Sequence, residues 1–166
     1  MSIMKIMEIR KEFAQAMRDK KSGDSSQLFD VCRKVVGECV KKVEITFSKP
    51  LTGVEDRVRL CTASEFDTLL AGYNWKGLRP TAFPDPLGRF IAVDVGSLLR
   101  DSNSWESFAA NFVMNVMEEL IHVSFPSESE LDVKRKTHQV TESYLEWQIP
   151  KRYKKDSLKR AVDPNY

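Results

Sequence analysis

The sequence predicts an α+β domain: a small mixed β-sheet of three or four strands packed with helices. Three observations point there. Residues Ser104 to Val123 carry Trp105, Phe108, Ala109, Phe112, Val113, Val116, Met117, Leu120 and Ile121 around nearly the whole circumference of one helix, which is therefore expected to be central and buried. Three short runs, Val43 to Phe47, Val58 to Cys61 and Phe90 to Val95, are rich in β-branched and apolar residues, as strands are. Helical periodicity, with no internal repeat, occupies both ends of the chain.

Ile3, Ile6, Met7, Phe13, Ala14 and Met17 fall at helical spacing, and the polar stretch Asp19 to Ser26 closes that element. A second helix is expected from Ser26 to Lys42, followed by the alternating strand Val43 to Phe47, which Pro50 and Gly53 end. After the strand Val58 to Cys61, Thr62 or Ser64 caps a short helix with Phe66, Leu69 and Leu70, and Gly72 stops it. Residues Tyr73 to Gly88 contain Gly77, Pro80, Pro84 and Pro86, too many breakers for a regular element. A long surface loop is expected there, with Tyr73, Trp75 and Phe83 either anchoring it or lining a cleft. Phe90 to Val95 reads as the best strand. Beyond the central helix, Pro126 forbids continuation, and Ser127 with Glu130 forms a capping box for a helix from Glu128 to Gln148. Pro150 ends it. Residues 151–166, with six basic residues against Asp156 and Asp163, form a basic tail expected to be only partly ordered.

At 166 residues and 42% hydrophobic content, residues 1–150 suffice for one domain with an ordinary core. The 26 basic and 24 acidic residues nearly cancel, leaving no global field to draw in nucleic acid. No apolar run reaches the roughly 18 residues a membrane span needs, and the charged N-terminal stretch lacks a signal-peptide core. A cytoplasmic protein without a membrane partner is the expectation. Cys32, Cys39 and Cys61 match no zinc-finger or redox spacing, so they are expected as reduced thiols, the first two facing the core.

The chemistry-bearing residues gather at the end of the central helix, in Glu118-Glu119-Leu120-Ile121-His122. Carboxylates in an apolar setting must be neutralised by protonation, by a cationic side chain or by a metal. Glu118 and His122 are four apart, the spacing at which one helix face offers two ligands to one ion, and Glu119 lies about 100° round. The alternative is a solvated helix end, with His122 favoured by the C-terminal dipole. On the next helix Val133, Val140, Tyr144 and Trp147 form the apolar stripe, and His138 and Glu142 fall opposite it. Unless that helix is buried on both sides, these two face solvent as an ion pair.

In these residues the sequence resembles the zincin metallopeptidases, which carry His-Glu-x-x-His on a central helix that follows a mixed sheet. The gluzincin branch takes its third ligand from a glutamate on the next helix. The resemblance implies a zincin-like domain over residues 1–150, with Glu118, His122 and Glu142 as metal ligands and Glu119 as general base. It implies zinc as cofactor, and a peptide or protein substrate paired with an edge strand, Phe90 to Val95. Glu146 would support His122, His138 is an alternative third ligand, and His138 or Tyr144 would stabilise the oxyanion. The chain departs from the family where Glu118 replaces the first histidine. An added negative ligand weakens the ion as a Lewis acid and suits manganese better, so a weakly active or inactive descendant, with or without an ion, is expected. The competing expectation is a non-catalytic interaction protein that uses the Tyr73 to Gly88 loop or the basic tail, with a nucleic-acid-associated factor as the third.

Overall fold

The computed structural model describes residues 11–16, 18, 26–146, 149 and 151–163. Ile3, Ile6, Met7, Met17, Trp147 and residues 19–25 of the polar stretch lie outside them. Helical residues 11–16 (α1) precede α2 (Ser26–Phe47), β1 (Val58–Cys61), α3 (Ala63–Ala71), β2 (Ala82–Pro84), β3 (Ile91–Asp94), α4 (Val95–Arg100), α5 (Trp105–Ser124), α6 (Glu130–Leu145) and α7 (Lys151–Val162). The fold is α+β: a three-stranded mixed sheet within a largely helical chain. No described helix is long and apolar enough to cross a membrane.

The sheet order is β1-β3-β2, with β3 parallel to β1 and antiparallel to β2. All four residues of β3 are buried. Their side chains alternate between faces: Ile91 and Val93 join the main core with α2, α5 and α6, whereas Ala92 joins a second cluster with Phe66, Leu70, Phe83 and Phe90. A strand covered on both sides needs no polar face, which is why Ile91, Ala92 and Val93 are all apolar; the last residue, Asp94, is buried with a partner, Arg79.

Two strand expectations are corrected. Val43 to Phe47 is the end of α2, not a strand. The buried face of α2, through Val31, Val35, Val36, Cys39 and Val40, continues to Val43 at helical spacing, and Ile45 is left 77% exposed. β3 is the central strand rather than an edge strand, so both its ladders are occupied and it has no free edge for a peptide. The loop at 73–88 holds the missed strand β2, whose Pro84 is tolerated because β2 lies at an edge.

Aromatic residues anchor this loop. Phe83 packs edge-to-face on Phe66, Tyr73 and Phe90, and Tyr73 donates to buried Asp85, which Arg89 also grips through Nε (2.8 Å) and its backbone amide (3.0 Å). That grip holds the Asp85 carboxyl well below the usual carboxylate range. Trp75, in contrast, is half exposed.

α5 starts at Ser104, whose side chain accepts from the Ser107 amide (3.1 Å), and it is the hub of the core. Phe108, Phe112, Val113, Met117 and Leu120 are fully buried; truncating Phe112 to alanine would cost about 3–5 kcal/mol. The cap of α6 is Ser129, which accepts from the Asp132 amide (3.2 Å), rather than Ser127. All three cysteines are buried free thiols, Cys32 and Cys39 facing the core as expected, and burial pushes the thiols of these two far up. The basic tail is ordered over most of its length: Lys151 to Val162 form α7, which docks on α6.

Candidate functional site

The site is made by a helical hairpin. α5 ends where Phe125 N bonds Ile121 O (2.8 Å), Pro126 prevents another turn, and only residues 125–129 connect it to α6. Lys136 clamps this connection through Glu128 (2.7 Å) and lies over the Phe125 ring (4.9 Å). So short a link brings the first turn of α6 back against the last turn of α5. Stepping down α5 by four while stepping up α6 by four gives two facing pairs. His122 Nε2 meets Glu130 Oε1 at 3.4 Å, and one turn further Glu118 Oε2 meets Lys134 Nζ.

Glu118 Oε1 lies 3.8 Å from His122 Nε2. Ligand atoms of Glu118, His122 and Glu130 therefore fall within 4.8 Å of one another. Donors about 2.0–2.1 Å from a tetrahedral zinc stand about 3.3 Å apart, so the two measured separations need contractions of only a few tenths of an ångström. The third separation, Glu118 to Glu130, is bounded at 4.8 Å, so it is the chemistry of the donor set, two carboxylates and an imidazole, that suits a divalent ion. Glu118 and His122 are partly buried, and Glu130 is exposed.

Electrostatics separate the two adjacent glutamates. Burial pushes Glu118 up, but the His122 imidazole and the Lys134 ammonium outweigh it and hold its carboxyl below the ordinary value. Glu119 is buried (7% exposed), its Oε2 has no hydrogen-bond partner among the described residues, and desolvation followed by the charge of Glu118 pushes its pKa up to about 7. A carboxyl half-ionised near neutral pH can take and return a proton. The Glu118 carboxylate, aided by Glu119 and Glu130, raises the pKa of His122 despite burial.

The remaining expected residues stand elsewhere. Glu142 is outside the cluster of three. Its Oε1 accepts from the Ile149 amide (3.1 Å) and pairs with Lys154 of α7. Glu146 is exposed and ends α6 in the left-handed conformation, φ 55°. Tyr144 is buried on the α2 side, where desolvation, with Cys39 and Glu38 adding, raises its pKa. His138 is 6% exposed because α6 is covered on both sides, by the core and by α7, and neither ring nitrogen has a partner among the described residues. Burial, then the charges of Lys154 and Lys134, lowers its pKa, so it is neutral.

Sequence reasoning passed over Glu130 and Lys134. The signal that points to them is the turn: Glu130 opens α6 after a five-residue connection, and Lys134 follows one turn later on the same face. Surface grooves of about 810, 530 and 450 Å³ run along α2 and beside β1, and none of the three is lined by Glu118, Glu119 or His122. The cluster lies in the notch where the last turn of α5 meets the first turns of α6. Comparison of the chain with protein-family models, curated proteins and solved structures returned no match.

Proposed function

We propose that this protein is a zincin-like, metal-dependent hydrolase of the peptidase type, attenuated by its ligand set, with Glu118, His122 and Glu130 as ligands. The observation that carries the reading is the convergence of these three donors beside Glu119, a buried carboxyl with an unpartnered oxygen. A divalent ion in that notch, zinc or manganese, would supply Lewis-acid polarisation of a peptide carbonyl. Glu119 removes the proton from the attacking water and returns it to the leaving amine, a role suited to a pKa near 7. β2, the edge strand that packs against α5, supplies the free ladder for an extended peptide, in place of β3. The neutral imidazole of His138 lies within electrostatic reach of Lys134 and Glu118.

One observation favours a second reading, a non-catalytic interaction protein. Lys134 already neutralises Glu118, and Trp75, Leu78 and Leu87 stand exposed on the loop at 73–88. The test that separates the two is cleavage of an unfolded protein by the zinc-loaded chain. The hydrolase reading expects slow cleavage that chelation and Glu119→Gln both abolish; equal cleavage by the Gln variant, or none by the loaded wild type, defeats it.

A further inference from the structure

A ligand set with two carboxylates and one imidazole carries one more negative charge than a set with one carboxylate and two imidazoles. The chain holds the means of cancelling that charge within hydrogen-bonding reach. We infer that Lys134 is the built-in counter-ion of Glu118, that the pair acts towards a divalent ion as one neutral ligand, and that Lys134 thereby sets how tightly the site takes the ion. This inference rests on the hydrolase reading of the site.

The two oxygens of Glu118 are divided between two tasks. Oε2 is taken by the Lys134 ammonium, whereas Oε1 points to His122 and remains in the group of donors. The pair is sheltered, with the Lys134 and Glu118 side chains 18% and 20% exposed, in contrast to the surface pair Lys34–Glu12 at 66% and 38%. Sheltered charges are weakly screened, so the sign of a neighbouring side chain bears directly on an ion's affinity. The arrangement also follows from a single structural cause. The hairpin register that sets Glu130 against His122 sets Lys134 against Glu118 one turn away, so the third ligand and the counter-ion arrive together.

A purely structural lysine and a counter-ion make opposite predictions for zinc. If Lys134 only braces Glu118, its loss lets the ligand wander and weakens zinc binding. If it cancels charge, its loss leaves a more negative notch and strengthens binding.

The experiment is zinc affinity of the full chain, by competition with a chromophoric chelator, for wild type, Lys134→Met, Glu118→Gln and the double variant. Circular dichroism monitors folding. Lys134→Met is expected to bind zinc at least about tenfold more tightly than wild type, and Glu118→Gln at least about tenfold more weakly, because its ammonium then faces the ion unopposed. The double variant keeps the net charge of wild type but has an amide where a carboxylate ligand stood, so it should bind zinc more tightly than Glu118→Gln and more weakly than Lys134→Met. Removing one partner of a sheltered ion pair can prevent folding. If Lys134→Met does not fold, comparison of Glu118→Gln with the double variant carries the same test, because removing the ammonium beside the ion must tighten zinc there too. Zinc binding by wild type that is unchanged or weakened when Lys134 is removed overturns the inference and leaves the hydrolase reading standing. Absence of zinc binding in every folded variant overturns both.

Discussion

Glu119→Gln should stabilise the metal-free protein at alkaline pH and leave it unchanged in acid. The Glu119 pKa has an ordinary value of 4.5 and is pushed up to about 7 by burial and by Glu118. Between these values the folded state binds more protons than the unfolded one, so stability falls as pH rises from about 4.5 through 7. At about 1.4 kcal/mol per pH unit, ionised Glu119 costs the fold about 3 kcal/mol at pH 8, or a melting-temperature difference of about 6–12 °C for a chain this long. A glutamine has the same shape and no charge to desolvate. The assay is thermal or urea unfolding of wild type and Glu119→Gln with a chelator present, at pH 5 and pH 8. Taking the difference between the two proteins removes the contribution of His138, whereas that of His122, which Glu119 raises, stays coupled to the substitution. The reasoning predicts a difference of less than about 1 kcal/mol at pH 5 and a variant more stable by about 3 kcal/mol at pH 8. Equal stabilities at both pH values would show that Glu119 is solvated at a helix end and has no raised pKa.

Three further outcomes follow from the packing. Truncation after Pro150 removes α7 and the Lys154 partner of Glu142, so the melting temperature should fall by about 3–10 °C, and the His138 pKa, read by NMR, should rise toward the ordinary value. An unchanged melting temperature would mean that α7 adds nothing to the stability of the fold. Asp94, fully buried, pairs with Arg79 (2.6 Å) and accepts from the Ser97 amide (2.9 Å) at the start of α4. Asp94→Ala should cost about 3 kcal/mol in denaturant unfolding, and a loss under about 1 kcal/mol would contradict the double role. The three cysteine thiols should resist an aromatic disulfide reagent at pH 8 until denaturant is added, then all react; prompt labelling of the native chain would refute their burial.

The sequence disclosed the long elements more faithfully than the short ones, for physical reasons. α5 was legible because twenty residues sample the helical period more than five times, and its cap Ser104 is explicit. Val43 to Phe47 was misread because five residues cannot separate a period of 2 from one of 3.6. β2 was hidden because a three-residue strand containing a proline has almost no local signature; the sheet makes it, through pairing with β3.

At the site, Glu118, Glu119 and His122 were legible as a spacing on one helix. The partner across the hairpin was not, because a spacing borrowed from a family was preferred to the geometry of this chain's short turn. Glu142, at the family's distance, is held by α7, and Glu130, eight residues beyond His122, meets the imidazole. The burial of His138 depended on the docking of a basic segment whose composition gave no hint of it.

The measurement that tests the central claim most directly is an anomalous difference map at the zinc absorption edge, from crystals of the protein grown with zinc. The account predicts one peak in the hairpin notch, bound by Glu118, His122 Nε2 and Glu130, with the Glu119 carboxyl beside it and Lys134 on the outer oxygen of Glu118. A peak held by His138 or Glu142 instead, or no peak in the notch while the Glu118–Lys134 pair stays closed, would contradict it.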